Sequence, residues 1–220
     1  EKYVHPARHI EVQILADEEG HVVCLGERDC SVQRRHQKLL EESPSPAVDS
    51  ETRTALFAAV ADAVRAIGYT GAGTLEFLRD PDGNLWFMEM NVRLQVEHAV
   101  SEMLTLVDLV KWQIRTAAGV SLPFSQTDIP MKGAVIECRI NALSPGTVSL
   151  LHVPGGPFVR FDTYLVQGVA VSPFYDSLVG KLIVYAATRE EALRKMRAAL
   201  CELVIDGVET NIAEQLRIIS

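Results

Sequence analysis

The turn between two short, mainly apolar segments constrains the fold of this chain more than any other feature. Residues 74–78 and residues 85–90 are rich in the aliphatic and aromatic side chains typical of strands. The segments are joined by Asp80-Pro81-Asp82-Gly83-Asn84, in which Asp-Gly favours a tight turn because both residues accept positive φ. The pattern therefore predicts an antiparallel β-hairpin whose two turn residues are Asp82 and Gly83.

This turn also predicts which residues face each other across the hairpin. The predicted pairs are Thr74 with Asn91, Leu75 with Met90, Glu76 with Glu89, and Phe77 with Met88. The apolar pairs are expected to face the core, so that the other two pairs share the opposite face. Two carboxylates that face each other repel by a few tenths to about 1 kcal/mol. Another interaction of these side chains is therefore expected to offset the repulsion.

A divalent cation is one way to compensate for the facing glutamates. Two carboxylates and the carbonyl oxygen of Asn91 are hard ligands suited to Mg²⁺, which keeps further positions for water and phosphates. In the alternative interpretation, Glu76 and Glu89 are solvated or pair with neighbouring Arg and Lys side chains. The hairpin alone does not decide between the two.

Two further polar groups extend this pattern. Beyond Asn91 the alternation continues and places Arg93, Gln95 and Glu97 in one row, which suits an anionic ligand because Arg offers paired donors to phosphate or carboxylate. Residues 33–38 concentrate basic side chains, which taken alone indicate a solvated patch. Together with a metal face, however, they favour a site that neutralises the charge of a nucleotide and an anion.

The remaining pattern predicts an α+β fold. Strands are predicted at residues 9–15, 22–25, 134–140, 147–153, 158–161 and 182–186, the first two forming a hairpin. One helix is predicted from Asp49 or Ser50 to Gly68, with the apolar stripe Leu56, Val60, Val64 and Ile67. Further helices are predicted at residues 101–118 and after Thr188, the last with Leu193, Met196, Leu200 and Leu203 facing the core. Residues 41–46 are predicted to be a loop, and residues 123–130 a linker between two subdomains.

Composition narrows the class of protein. The 220 residues include 48% hydrophobic residues, enough for a real core, and the formal charge of −8 argues against a nucleic-acid partner. No apolar run approaches the roughly 18 residues that indicate a transmembrane helix. The four cysteines are scattered, which argues against a disulfide framework or a zinc site and favours a reducing, cytoplasmic location.

Several strings in this chain are long and chemically unusual. They are RHIEVQ (residues 8–13), ERDCSVQRRHQK (27–38), GAGTLEF (71–77), EMNVRLQVEH (89–98) and ECRINA (137–142). With these strings, in this order, the chain resembles the biotin carboxylase family. The resemblance implies the C-terminal part of an ATP-grasp fold, with a mainly antiparallel sheet flanked by helices, followed by the biotin carboxylase C-terminal subdomain. The corresponding boundaries are residues 1–125 and 126–220.

The resemblance also implies a role for individual residues. It assigns the nucleotide pocket to Glu1, Lys2, Tyr3 and Val4, as a hinge strand, and to His9, Gln33 and His36. It assigns Mg²⁺ or Mn²⁺ to Glu76, Glu89 and Asn91, and bicarbonate to Lys38, Arg93, Gln95 and Val96. Glu97 is implied to be the base that deprotonates bicarbonate, and Arg160, in PGGPFVR (154–160), to stabilise the enolate form of biotin. Lys38, Arg93, Glu97 and Arg160 are thus the implied catalytic residues.

The implied reaction is ATP-dependent carboxylation of biotin by bicarbonate through carboxyphosphate. The chain has no Ala-Met-Lys-Met biotinylation string, so biotin is expected on a separate carrier, with a carboxyltransferase and a homodimer as further implied partners. Acetyl-CoA carboxylase and fatty acid synthesis are one setting for such an enzyme. The family's N-terminal domain and glycine-rich lid are expected before Glu1, and a further stretch after Ser220, so this chain alone is not expected to turn over.

Two other interpretations stay open at the level of sequence. Another ATP-grasp ligase, such as a carbamoyl-phosphate synthetase or a purine-pathway carboxylating enzyme, would share the hairpin but not both residues 33–38 and residues 93–97. A domain that keeps the fold only for assembly or regulation is the alternative outside enzymes. The site residues quoted above are all present, which favours the enzyme.

Overall fold

The chain forms two compact units in the computed structural model, which describes residues 3–220. The first unit runs up to Ser31 and continues as Glu41–Lys132, and the second consists of Val32–Leu40 and Gly133–Ser220. Glu1 and Lys2, which were expected at the nucleotide pocket, lie outside the described residues. Within residues 3–220, none of the helices has the length and apolar character that crossing a membrane requires.

The first unit is an antiparallel sheet with helices beside it. In chain order its elements are β1 (Arg8–Ala16), β2 (Val22–Arg34), β3 (Gln37–Ser43), α1 (Ser50–Ala66), β4 (Gly71–Arg79), β5 (Leu85–Asn91), α2 (His98–Thr105) and α3 (Leu109–Ala117). The strands are ordered β5-β4-β1-β2-β3, and the hairpin predicted for β1 and β2 is confirmed. A 3₁₀ turn at Gln126–Asp128 follows α3.

Helix α1 covers one face of this sheet. The Asp49 carboxylate accepts a hydrogen bond from the Thr52 backbone N–H at 2.8 Å, which caps the helix as predicted. Val60 and Val64 of α1 pack on the inward side chains of β1. The prediction that Ile67 joins this stripe is wrong, because Ile67 is the C-cap residue and is 66% exposed.

Strands β2 and β3 form a long hairpin that was not predicted. Residues 22–25 were expected to be a short strand and residues 41–46 a loop, but β2 runs to Arg34 and β3 to Ser43. The extent of these strands was not predicted because Glu27, Arg28 and Glu41 are charged, and charged residues are expected at the surface. In the structure they are fully buried inside the strands. Arg35 and His36, which connect the strands, both have positive φ, as a two-residue hairpin turn of this kind requires.

The single helix predicted at residues 101–118 is two helices. Leu106 adopts the left-handed conformation at φ 60°, which ends α2. The Asp108 carboxylate then accepts a hydrogen bond from the Lys111 backbone N–H at 2.8 Å and begins α3. The apolar periodicity of residues 101–118 continues across this break, so the pattern concealed it.

The second unit is another antiparallel sheet packed against a helix. Its elements after β3 are β6 (Ala134–Asn141), β7 (Gly146–Thr147), β8 (Leu150–His152), β9 (Val159–Thr163), β10 (Ala170–Val171), β11 (Leu178–Ala186), α4 (Arg189–Glu202), β12 (Val204–Asp206) and α5 (Ile212–Ile218). The strands are ordered β3-β6-β11-β9, with β7 pairing β10 and β8 pairing β12. Met196 and Leu200 of α4 are buried against the sheet as predicted. The single strand predicted at residues 147–153 is wrong, because it is divided between β7 and β8.

Two glycines of the second unit lie where the backbone of other segments passes very close. A Cβ atom at Gly146 would collide with the carbonyl oxygen of Gly207, and one at Gly207 would collide with that of Thr147. Gly207 also has φ of +87°, which an L side chain rarely adopts. The adjacent connection is held by backbone hydrogen bonds, from Ala142 to Ser177 and from Leu143 to Glu209, both 2.7 Å.

Candidate active site

The predicted hairpin of β4 and β5 is present, with a longer turn and one bulge. Thr74 faces Asn91, Leu75 faces Met90 and Glu76 faces Glu89, as predicted. The predicted pairing of Phe77 with Met88 is wrong, because the register shifts there and Phe77 faces Phe87. Met88, expected in the core, is 44% exposed.

Asp80 is the reason for the longer turn. Its carboxylate accepts a hydrogen bond from the Asn84 backbone N–H at 2.8 Å, while the Asp80 N–H donates to the Asn84 carbonyl at 3.0 Å. These bonds place three residues, rather than two, in the turn. The bulge at Met88 then restores the register, so Glu76 and Glu89 still face each other.

The two facing glutamates lie on one face and are bridged by Asn91. The Asn91 Nδ2 atom donates to Glu76 Oε1 at 2.9 Å and to Glu89 Oε1 at 3.2 Å. Glu76 is buried and Glu89 is exposed. Asn91 thus presents its amide nitrogen to the carboxylates. For Asn91 to bind a cation held by the two carboxylates, its side chain would have to turn its carbonyl oxygen, rather than its amide nitrogen, toward that cation.

A third carboxylate, which sequence reasoning missed, extends this pair. Glu11 on β1 faces Glu76 in the β1–β4 register, and it faces Arg28 in the β1–β2 register. Arg28, Glu11, Glu76 and Glu89 therefore form one row across four strands, which we name the charged row. The strict alternation of residues 9–15 was the available signal, since it places Glu11 on the same face of β1 as His9.

His9 and Gln95 complete the surroundings of Glu76. The Nε2 atom of His9 lies 2.8 Å from Glu76 Oε2, and Gln95 Nε2 donates to Glu76 Oε1 at 2.8 Å. One ligand atom each of His9, Glu11 and Glu76 lie within 4.8 Å of one another, a grouping that could hold a metal ion. The charged row thus offers more candidate metal ligands than the predicted set of Glu76, Glu89 and Asn91.

Arg28 is fully buried, and each of its five N–H donors has an acceptor. Nε donates to Glu11 at 2.6 Å, Nη1 to Gln13 and Ser101, both at 2.8 Å, and Nη2 to Gln95 at 3.2 Å and Thr74 at 3.5 Å. Burial lowers the pKa of Arg28, but the charges of Glu11 and Glu97 more than offset this and raise its pKa above the usual value. The guanidinium is therefore a permanent buried cation.

The polar row expected beyond Asn91 does not continue as a strand. Strand β5 ends at Asn91, and Arg93 is exposed, with its Nη1 donating to the Leu94 carbonyl at 3.2 Å. Gln95 and Glu97 are buried, at the turn that enters α2. The structure brings Gln95 to Glu76, and it brings Glu97 close to Glu11 and Cys30.

In the second unit, the candidate residues lie on the β2–β3 hairpin and on β9. Gln33 is half-buried on β2, His36 is exposed in the turn, and Lys38 is half-buried on β3. Tyr3 and Val4, at the start of the first unit, precede β1 and are not in a strand, so the expected hinge strand is absent at those two residues.

Arg160 on β9 is held by a partner that sequence reasoning did not identify. Its Nε and Nη2 atoms donate to the two carboxylate oxygens of Asp162, each at 2.8 Å. Burial raises the pKa of Asp162, but the hydrogen bond and charge of Arg160, with Lys181 at 3.6 Å, lower it below its usual value. The available signal was the spacing of two residues, which puts both side chains on one face of a strand.

Comparison with known protein families supports this arrangement. Residues 1–125 match the family model described as carbamoyl-phosphate synthase L chain, ATP binding domain. Residues 137–220 match the model described as biotin carboxylase C-terminal domain. The chain thus combines an ATP-grasp ATP-binding domain with a second domain that defines a narrower class.

Individual relatives identify that class. The chain is 52% identical over 219 residues to a biotin carboxylase of Haemophilus influenzae, covering 96% of this chain and 49% of the relative. It is 53% identical to the chloroplastic biotin carboxylase 1 of Populus trichocarpa, covering 96% of this chain and 42% of the relative. The chain belongs to the biotin carboxylase family, and it spans about half the length of these relatives.

Solved structures of the same family superimpose on the whole chain. One is the biotin carboxylase domain dimer of the Hydrogenobacter thermophilus 2-oxoglutarate carboxylase, in complex with MgADP, ADP and bicarbonate. Its TM-score is 0.97 and its sequence identity to this chain is 49%. The match covers 100% of this chain and 50% of the solved chain. A Campylobacter jejuni biotin carboxylase matches with a TM-score of 0.97 and 47% identity. This match covers 100% of this chain and 50% of the solved chain. The expected ATP-grasp fold with a biotin carboxylase C-terminal domain is confirmed.

Proposed function

We propose that the protein containing this chain carboxylates carrier-borne biotin, using bicarbonate and ATP. The observation that carries the proposal is the charged row together with Asn91, which gathers three carboxylates and an amide on one face of the first unit. Such a concentration of acidic oxygens is unfavourable unless cations neutralise it. The relatives named above, which include a complex with MgADP and bicarbonate, support this assignment.

The residues of the charged row fit Mg²⁺ or Mn²⁺. The donor set consists of carboxylate oxygens and one amide, the hard ligands that these ions prefer. Glu89 is exposed, so an ion that reached it could keep water or phosphate oxygens as further ligands. Glu76, Glu89 and Asn91 would hold the metal, which would supply charge neutralisation for the ATP phosphates when bound.

We assign the other roles by the family resemblance. His9, Gln33, His36, Tyr3 and Val4, with Glu1 and Lys2 outside the described residues, contribute to nucleotide binding. Lys38, Arg93, Gln95 and Val96 bind bicarbonate. The exposed guanidinium of Arg93 and the ammonium of Lys38 provide donors for an anion. Arg160 stabilises the enolate form of biotin, and its ion pair with Asp162 fixes the direction of its guanidinium.

Glu97 is the proposed base. It removes the proton of bicarbonate, whose oxygen then attacks the γ-phosphate of ATP to give carboxyphosphate and ADP. Carboxyphosphate releases CO₂ and phosphate, phosphate accepts the ureido proton of biotin, and the biotin nitrogen then bonds to CO₂. The burial of Glu97 at the start of α2 supports this role, because a shielded carboxylate stays in one position relative to its substrate.

We further propose the partners and boundaries of this component. Residues 1–125 contribute the nucleotide, metal and bicarbonate residues, and residues 126–220 contribute the biotin carboxylase C-terminal subdomain. A biotin carrier and a carboxyltransferase complete the system, and the protein forms a homodimer. The four cysteines are free thiols, which supports a reducing compartment such as the cytoplasm, although the chloroplastic relatives make a plastid equally compatible.

The test is ADP release by the full-length protein with bicarbonate and biotin supplied or omitted. We expect turnover that requires both, and we expect Glu89→Gln to lower it by roughly tenfold to a hundredfold, because the variant weakens metal binding. Glu18→Gln, which changes an exposed carboxylate in the β1–β2 turn, is the matched control and should leave the rate unchanged. Full turnover without biotin, or in the Glu89 variant, would contradict the proposal and favour another ATP-grasp ligase.

A further inference from the structure

Arg28 lies at one end of the charged row, with no water-exposed surface of its own. Three carboxylates follow it across the sheet, and it forms an ion pair with the first, Glu11. The family assignment above gives Arg28 no role. It nevertheless donates a hydrogen bond to Gln95, which the proposed reaction uses, and another to Ser101 on α2, the helix that begins next to Glu97.

The contact with Gln95 determines which atoms that side chain presents. Arg28 Nη2 donates to Gln95 Oε1 at 3.2 Å, and Gln95 Nε2 donates to Glu76 Oε1 at 2.8 Å. Only one orientation of a carboxamide places its oxygen on a donor and its nitrogen on a carboxylate. With Arg28 present, reversing the carboxamide breaks both hydrogen bonds, whereas without Arg28 it would break only the one to Glu76. The guanidinium therefore helps to fix the direction of the amide.

The other contacts of Arg28 hold the guanidinium itself in place. Gln13 on β1, Thr74 on β4 and Ser101 on α2 each accept one of its N–H groups. Because Ser101 lies one turn into α2, the bond from Arg28 also ties the start of that helix, where Glu97 lies, to the sheet. The planar fork therefore connects three strands and a helix at fixed angles.

We infer that Arg28 is a positioning residue for the bicarbonate step. It orients the Gln95 carboxamide directly and, through its hydrogen bond to Ser101, holds the start of α2, where Glu97 lies, so that both side chains are in place before bicarbonate binds. This inference rests on the proposed function. It requires the fork of an arginine, since lysine keeps the charge but offers at most three donors from a single atom.

The experiment compares Arg28→Lys with wild type in the full-length protein, by steady-state kinetics with bicarbonate and ATP varied separately. We expect the KM for bicarbonate to rise roughly tenfold or more, while the KM for ATP changes by less than about threefold. A merely structural role would lower the amount of active protein, and therefore kcat, with both KM values unchanged. An unchanged bicarbonate KM in a folded Arg28→Lys protein overturns the inference.

Arg53→Lys is the matched control. Arg53 also donates through its fork to a fully buried carboxylate, that of Glu27, at 2.8 and 2.7 Å, and its third hydrogen bond, at 3.0 Å, is to the Val48 carbonyl, away from the proposed site residues that the structure describes. We expect it to lower the thermal midpoint without moving the bicarbonate KM. A comparable rise in bicarbonate KM in both variants would show that any weakened ion pair has this effect, and would overturn the inference.

A second measurement needs no turnover. In ligand-free protein, the thermal midpoints of Arg28→Lys, Gln95→Ala and the double variant form a cycle, and the double variant should lose less than the sum of the single losses. Strict additivity contradicts the positioning of Gln95.

If Arg28→Lys fails to fold, Ser101→Ala replaces it. The expected result is then a rise of a few-fold in the bicarbonate KM, and no rise is the contradicting result. Wild-type protein without bicarbonate- and biotin-dependent turnover instead refutes the proposed function.

Discussion

The two faces of β1 are equally buried and are stabilised by different interactions. Ile10, Val12 and Ile14 pack against α1 on one face, while Glu11 and Gln13 on the other join the hydrogen bonds of Arg28. Apolar contacts are non-directional, so their stabilisation follows the area removed from water. The buried polar face is tolerated only because its groups have partners in the correct directions.

The two faces therefore contribute different properties to the protein. Burial of an isoleucine side chain stabilises by about 1.5–3 kcal/mol, whereas a buried ion pair contributes little net stability because desolvation offsets its attraction. The polar face instead fixes side-chain directions, which is what a site for charged ligands requires. Removal of one polar partner should consequently cost more than removal of one apolar side chain.

The largest expected effect is that of Arg28→Met. We expect the local free energy of opening of β1 to fall by about 4 kcal/mol, because the buried carboxylate of Glu11 loses the guanidinium that neutralises it. Hydrogen exchange of the β1 amides measures this quantity. The double variant Arg28→Met with Glu11→Met removes both charges and should lose less. A double variant less stable than the single variant would show that the polar face itself provides stability.

The second effect is that of Ile10→Ala on the apolar face. We expect a loss of about 3 kcal/mol in the same exchange measurement, from lost transfer energy and a residual cavity next to α1. Val92→Ala, at an exposed position beyond β5, is the control and should cost little. If Ile10→Ala cost more than Arg28→Met, the proposed ranking of the two faces would be wrong.

The third effect concerns Asp17, which follows β1 directly. Burial raises its pKa, but hydrogen bonds from Leu122, at 2.8 Å, and from His21 lower it below the usual 3.8. Because the folded pKa lies below the unfolded one, the stabilisation is complete above about 3.8 and is lost as pH falls through the folded value.

Asp17→Asn should therefore cost about 2 kcal/mol at pH 7, since buried donors lose a charged acceptor. The difference in thermal midpoint between this variant and wild type should shrink as pH falls below 4. Ile10→Ala serves as the reference, because the cost of a cavity does not depend on proton binding. A difference that stays constant from pH 7 to pH 3 would contradict the assignment.

The smallest effect is that of Asp49→Ala, which removes the cap of the helix over the apolar face. We expect a loss of helix stability smaller than the three losses above, detected by exchange of the first-turn amides of α1. Asp49→Asn, which keeps the capping oxygen, should retain most of the stability. Equal losses in both variants would indicate that charge, rather than the hydrogen bond, is what stabilises the helix start.

The sequence predicted features that depend on neighbouring residues better than contacts between distant strands. Turn chemistry placed Glu76 opposite Glu89, and helix capping placed the starts of α1 and α4. The extent of β2 and β3 was missed because Glu27, Arg28 and Glu41 are charged, and a charged residue indicates exposure until its distant partner is known.

The same limit applies to the candidate site. Asn91, Gln95 and Glu97 were identified as polar residues, but the place of Gln95 depends on Arg28, 67 residues earlier in the chain. Arg160 was predicted to lie in a strand and does lie in β9, whereas its fork to Asp162 and the bulge at Met88 were not predicted. Such contacts follow from tertiary register, which local periodicity does not contain.

The close approach of Gly146 and Gly207 limits the natural variation that this protein can carry. Neither position has room for even one added methyl group, so no single replacement at Gly146 or Gly207 can be compensated by the flexible end of a neighbouring side chain. Among individuals carrying a changed codon at either position, we expect loss of folded protein whichever amino acid is introduced. A substitution at either glycine should therefore remove functional protein as completely as a truncation would, although both glycines lie far along the chain from Glu76 and Glu89.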